Sequence, residues 1–174
     1  MTDQQPTPKR KIAVEDRLEI LDLLARYNWA VDTDDVDAFL DVFTSDGQFV
    51  TADKAYRGVA ELREFIGLLK SRRVPDDQLP PGAAGRSAFH NAINVILEWD
   101  GDDIRLLAEF IGSRVADDGR VSMHFGWYDD RVTRVGGDWK FRRRHVRSWA
   151  EDRPSQSPVG SVGAEETARP PSGG

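Results

Sequence analysis

Apolar positions recur with a helical period from residue 13 to residue 32. At about 100° per residue, Val14, Leu18, Leu21, Ala25 and Asn28 share one stripe, flanked by Ile20, Leu24 and Val31, while Glu15, Glu19, Asp22 and Arg26 face away. Asp32 follows Val14 by a whole number of turns, so the pattern sets a carboxylate in the middle of the stripe expected to be buried. A second helix is expected to start in DTDDVDAFLDVF with Thr33 or Asp34 as its N-cap, followed by a turn at Ser45-Asp46-Gly47 and a short strand in GQFVT. RGVAELREFIGLLKSR, from Arg57, reads as a third helix with Val59, Leu62, Phe65, Ile66 and Leu69 on one side, and PDDQLPPGAAG as a loop able to act as a lid.

The second half changes period. SAFHNAINVILEW, IRLLAEFIGSRVA, RVSMHFGWYDDRVTRV and DWKFRRRHVRSW are β-rich runs separated by DGDD, DDG and GGD, the punctuation of antiparallel hairpins. Helices followed by a meander predict an α+β domain, a cone-shaped half-barrel in which three N-terminal helices pack on a curved antiparallel or mixed sheet. The natural ligand pocket lies between helix and sheet. The ends differ: residues 1–11 are polar with two prolines, and residues 151–174 are rich in Pro, Gly and Ser, so both read as disordered tails around a folded part spanning residues 12–150.

Composition narrows the chemistry. Acidic residues exceed basic ones, 30 against 24, which argues against a general nucleic-acid partner because phosphate contacts need surplus Lys and Arg. There is no cysteine, so thiolate metal ligands and disulfides are unavailable. The N-terminus lacks the apolar stretch of a secretory signal, and no run approaches the about 18 apolar residues of a membrane span, so a cytoplasmic location is the expectation. The three histidines show no HxH, HxxxH or HExxH spacing, and neither a metal nor another cofactor is expected.

EDRLEILDLLARYNWAVDTDDVDAFLDVFTSDGQF, RGVAELREF, FHNAINVILEW and GWYDDRVTRVGGDWKFRRRHV, in this order, resemble the SnoaL-like branch of the nuclear transport factor two superfamily over about residues 13–149. That fold hosts dehydratases, dehydrochlorinases, isomerases, cyclases, dioxygenase small subunits and binding domains. Its catalytic members commonly carry an aspartate at the end of the first helix and a histidine early in the first long strand, positions held here by Asp32 and His90. Similarity to the bile-acid dehydratase-like members implies that Tyr27 and Arg144 join them. Those dehydratases carry another polar partner on the second long strand, where this chain aligns near Ser113.

The pairing also makes chemical sense by itself. A histidine titrates near neutrality and can move a proton, while a buried carboxylate on its other ring nitrogen fixes the tautomer and stabilises the imidazolium. Asp32 on the apolar side is then explained by His90 arriving from the sheet. Tyr27 lies roughly 140° around an ideal helix from Asp32, so it converges only if the helix end distorts. Alternation from Trp139 and Phe141 points His145 inward and Arg144 outward unless a β-bulge intervenes, whereas the family alignment prefers Arg144, and the two stand open. His124 shares a face with Tyr128 and is either a third polar group of the pocket or a surface residue.

The expected function is a cofactor-free lyase or isomerase, dehydratase-like, acting on a hydrophobic carbonyl-containing metabolite of polyketide, steroid or terpenoid type. His90 is the base, Asp32 its orienting partner, Tyr27 and Arg144 electrostatic helpers, and Trp29, Phe49, Phe65, Trp127 and His145 substrate-binding groups. The competing class is a non-catalytic small-molecule-binding protein or the small subunit of a ring-hydroxylating dioxygenase. The resemblance implies a homodimer or homotrimer formed through the outer face of the sheet, in keeping with large side chains on both strand faces, among them Trp99, Phe110, Phe125 and Trp139.

Overall fold

The computed structural model describes residues 10–79, 88–116 and 118–150. The order of elements is α1 (Val14–Asp32), α2 (Val36–Asp41), β1 (Phe43–Val50), β2 (Ala55–Arg57), α3 (Gly58–Ser71), a short 3-10 turn (Asp76–Gln78), β3 (Ala88–Asp100), β4 (Asp103–Val115), β5 (Val121–Val135) and β6 (Asp138–Ser148). The strands form one sheet in the order β2-β1-β6-β5-β4-β3, antiparallel throughout except for the parallel β1–β6 pair. Three helices packed on a mixed sheet give the expected α+β fold. Among the described residues no helix is long and apolar enough to cross a membrane. Residues 1–9 of the N-terminal tail, the whole C-terminal tail and residues 80–85 of the loop read as a lid lie outside the described residues, whereas Arg10 and Lys11 contact Trp99.

Several local expectations change. Asp35, rather than Thr33 or Asp34, caps α2, its side chain accepting from the Ala38 N–H at 3.0 Å. Thr33 instead ends α1, its N–H and hydroxyl both donating to the Trp29 carbonyl. Ser45–Gly47 is part of β1, where the pairing with β6 jumps between Phe43 and Gln48, and the short β2 adds an edge that the sequence pattern did not suggest.

The core-facing side of α1 is the larger correction. Val14 and Leu18 are 67% and 61% exposed, and the buried residues are Ile20, Leu23, Leu24, Tyr27, Ala30 and Val31. Their mean direction lies about 140° around the helix from the stripe first drawn. That stripe still has a function in packing: Leu21, Ala25, Asn28 and Asp32 face the edge strand β3 rather than the core. Val59 of α3 is likewise exposed, whereas Leu62, Phe65 and Ile66 are buried as expected.

Two strand irregularities decide which side chains point toward the helices. In β3 the pairing with β4 shifts between Ile93 and Ile96, where Asn94 takes a φ of 53°. The shift brings Leu97, paired with Leu106, to the same face as His90, paired with Gly112. In β6, Arg131 pairs with Arg143 and Val132 with Phe141, so Arg142 is the extra residue of a bulge. Phe141 and Arg144 therefore both point into the core, which resolves the choice in favour of Arg144; His145 takes the opposite face.

Candidate functional site

Asp32 and His90 meet where the end of α1 reaches the start of edge strand β3. Asp32 Oδ1 lies 2.6 Å from His90 Nδ1, and Asp32 Oδ2 accepts the His90 backbone N–H at 3.0 Å. An ionised carboxylate only accepts, so Nδ1 carries the proton and Nε2 is left as the basic nitrogen. The side chain of Asp32 is only 5% exposed and that of His90 18%. Edge position explains the second bond, since an edge strand turns unpaired N–H groups outward and here one is covered by a side chain rather than a strand. Arg73, just beyond α3, braces the helix end by donating to the Asp32 carbonyl at 3.3 Å and pairing with Asp34 at 3.1 Å.

Two cavities flank the pair, and His90 lines both. The larger, about 400 Å³, runs between α1 and β3 and is walled by Asn28, Trp29 and Asp32 on one side and Phe89, His90 and Ala92 on the other. Asn28 Oδ1 is buried there without a hydrogen-bond partner. The smaller, about 190 Å³, is bounded by Arg72, Arg73, Ser113, Arg114 and His124. The His124 ring sits edge-on to His90 with centroids 5.6 Å apart. Partial burial of that ring, reinforced by His90 and Arg114, holds its pKa below the ordinary histidine value. Among the described residues, no three His, Asp or Glu side chains gather in a group able to hold a metal ion.

Other residues singled out in the sequence lie elsewhere. Arg144 is fully buried, its guanidinium 3.7 Å from the ring centres of both Tyr27 and Tyr128, with Asp130 at 3.6 Å. Tyr27 packs among Phe39, Phe43 and Phe141 at the centre of the core, and burial raises the pKa of its hydroxyl, as it does for Tyr128, pushed up to about 12. Tyr27 and Arg144 thus join each other and line neither cavity, because the core face of α1 is rotated away from Asp32. Phe49 and Phe65 stack at 4.1 Å within the core. Trp127 is buried on the opposite face of the sheet beside Trp149, and His145 contacts Arg143. Of the five residues named for substrate binding, Trp29, 62% exposed, borders the larger cavity.

Three residues escaped the sequence reading. Asp130 shares a strand face with Tyr128 and Val132, a signal available in WYDDRV, where Asp129 turns to the other side and forms a two-pronged pair with Arg105. Asn28 stood inside the supposed apolar stripe, and Gly112 lies opposite His124.

The SnoaL-like domain profile matches residues 13–145. A protein from Novosphingobium aromaticivorans, provisionally assigned as an aromatic ring hydroxylase, shares 31% identity over 79% of this chain and 92% of its own, with a TM-score of 0.67. A provisionally assigned scytalone dehydratase from the same species superimposes with a TM-score of 0.65 at 15% identity, covering 84% of this chain and 95% of its own. Hexachlorocyclohexane dehydrochlorinase LinA-type3 from Novosphingobium barchaimii does so at 0.65 and 16%, covering 78% and 87%. These last two likenesses show the fold alone. No curated protein matches the chain by sequence.

Proposed function

Since the chain belongs to the SnoaL-like family, with its nuclear transport factor two-like fold, we propose that it is a cofactor-free lyase or isomerase acting on a hydrophobic carbonyl compound of polyketide, steroid or terpenoid type. The observation that carries this reading is the 2.6 Å Asp32–His90 contact opening onto two cavities. His90 Nε2 removes a proton from the carbon next to the carbonyl. The C–H electron pair forms the enolate double bond, and the carbonyl π pair moves to oxygen. Expulsion of a leaving group from the neighbouring carbon completes an elimination; return of the proton from Nε2 to a different carbon completes an isomerisation. Asp32 stabilises the imidazolium throughout. The mainly apolar wall of the larger cavity holds the carbon skeleton. Tyr27 and Arg144 enter as the rigid core behind the site.

The test requires no knowledge of the natural substrate. Purified protein in D2O with 2-tetralone, an apolar bicyclic ketone, is expected to exchange the α-hydrogens faster than His90→Ala by roughly a hundredfold. Equal exchange rates would overturn the reading. A second reading is favoured by the 31% identical relative assigned to aromatic ring hydroxylation: a non-catalytic hydroxylase subunit. Activity that appears only with an iron–sulfur partner would support it.

A further inference from the structure

Gly112 of β4 stands opposite His124 of β5 on the face that also carries His90. A methyl group added to Gly112 would overlap the His124 imidazole, which means that the ring lies directly across the glycine backbone. No other residue type leaves room for it. A side chain from β5 thereby reaches across β4 to stand edge-on to a side chain from β3, with ring centroids 5.6 Å apart. The cavity below them is lined by Arg72, Arg73 and Arg114 together with Ser113. Three guanidinium groups outnumber the nearby carboxylates of Asp32 and Asp34, and the two imidazoles add N–H donors. The charge of this space suits an anionic oxygen.

We propose that the smaller cavity is an oxyanion subsite in which His124 donates a hydrogen bond to the enolate oxygen formed when His90 removes the neighbouring proton. The inference rests on the reading of His90 as the base and adds a second substrate-contacting residue to it. The acidic carbon and the carbonyl oxygen are two bonds apart, so one base and one donor are needed side by side, and two neighbouring imidazoles supply them. A neutral imidazole is a better matched donor here than an imidazolium, because it polarises the oxygen without surrendering its proton. The partial burial of His124, with the Arg114 guanidinium beside it and His90 facing it, favours that neutral form. The C–H pair ends in the enolate, the proton on His90 Nε2, and the His124 proton stays on nitrogen.

The probe is 2-naphthol, a planar fluorescent phenol with the ring skeleton and oxygen placement of the 2-tetralone enolate. Binding is followed by naphthol fluorescence, and by 15N NMR of histidine-labelled full-length protein. Wild type is expected to bind with a shift of the His124 ring nitrogens. His124→Phe is expected to weaken binding about fivefold, the value of one lost hydrogen bond to a neutral phenol oxygen. Gly112→Ala should do the same by displacing the imidazole, whereas His124→Gln, which restores a donor, should recover most of the affinity. His90→Ala should bind within about threefold of wild type while losing exchange of 2-tetralone. No binding of 2-naphthol, or binding with unmoved His124 signals, would overturn the subsite. Loss of exchange in His90→Ala with undiminished affinity in His124→Phe removes His124 and leaves the base standing. A His124→Phe binding defect with exchange surviving in His90→Ala does the reverse.

Discussion

Asp32 and Asp130 are both nearly withdrawn from water, each beside a basic side chain, and the two pairs are built differently. Asp32–His90 sits at the edge of the sheet, joined by a 2.6 Å side-chain contact and a second bond to the His90 backbone, with a cavity on either side. Asp130–Arg144 sits in the core at 3.6 Å, too long for a hydrogen bond, and both side chains are fully buried. Arg144 Nε, Nη1 and Nη2 and Asp130 Oδ2 lack hydrogen-bond partners. The cation is held instead by the faces of Tyr27 and Tyr128, contacts worth about 2 kcal/mol each when desolvated. The edge pair directs one lone pair of a titratable ring toward open space. The core pair has no access to solvent: Asp130 Oδ1 accepts the His145 backbone N–H at 3.1 Å while its other oxygen stays 3.6 Å from Arg144, so its place is architectural, cross-linking α1, β5 and β6 beneath the site.

The largest expected effect tests that division. Arg144→Ala should lower the free energy of unfolding by about 3–5 kcal/mol in urea titrations, because it leaves a buried carboxylate uncompensated and a void between two tyrosines. Arg144→Met combined with Asp130→Asn should restore much of the loss, since it removes both buried charges together and keeps an acceptor for the His145 N–H. A loss below about 1 kcal/mol in Arg144→Ala would mean that the core tolerates the charge poorly even in the native protein.

The edge pair should respond in rate rather than stability. Asp32→Asn is expected to lower the 2-tetralone exchange rate by roughly a hundredfold, because an amide can fix the wrong imidazole tautomer. Combined with His90→Ala it should be scarcely worse than either single change, as groups acting as a unit are non-additive. Multiplicative losses in the exchange assay would show two independent groups instead of a dyad.

Between these extremes lies a pH effect confined to the core pair. Burial pushes the Asp130 carboxyl up to about 7, against the opposing pull of Arg144. A carboxyl whose folded pKa is raised contributes stability that is fully present below its unfolded pKa, about 4, and lost as pH rises through about 7. The stability difference between wild type and Asp130→Asn should therefore fall from pH 4 to pH 7 and level off above. A difference that rises over that range, measured by urea midpoints, would place the folded pKa below the unfolded one.

What the sequence made legible follows the same contrast. The edge pair was legible through two signals: Asp32 interrupts an apolar stripe, and His90 holds the strand position that the resemblance to the SnoaL-like family gives to a histidine. The error lay in the face of α1. Two apolar stripes run along that helix; the one bearing Asn28 and Asp32 has the helical period of a core face, yet its two polar residues mark a wall facing a cavity. The core pair was harder to see. Arg144 turns inward only because Arg142 is extra in the β5–β6 ladder, and a bulge adds no residue type that announces it. His124 was visible as a face-mate of Tyr128, but its reach depends on Gly112 in another strand, a pairing that exists only after the register is set.

The smallest expected effect concerns the other bulge, which touches the edge site and not the core pair. Asn94 adopts a φ of 53°, a conformation that costs an ordinary L-residue about 1–2 kcal/mol and that asparagine tolerates better than most. It lies between His90 and Leu97, and the register shift around it lets both point toward the helices. Asn94→Val should therefore destabilise by about 1 kcal/mol or slightly more, through backbone strain and the lost contact with Glu109. Asn94→Gly should stay within about 1 kcal/mol of wild type, because relief of strain is offset by the greater freedom of the unfolded chain. The useful readout is the comparison of assays: because Asp32 grips the His90 backbone four residues away, Asn94→Gly should keep the 2-tetralone exchange rate. A variant that folds normally yet loses exchange would show that the bulge, as well as the carboxylate, fixes the direction of the His90 ring.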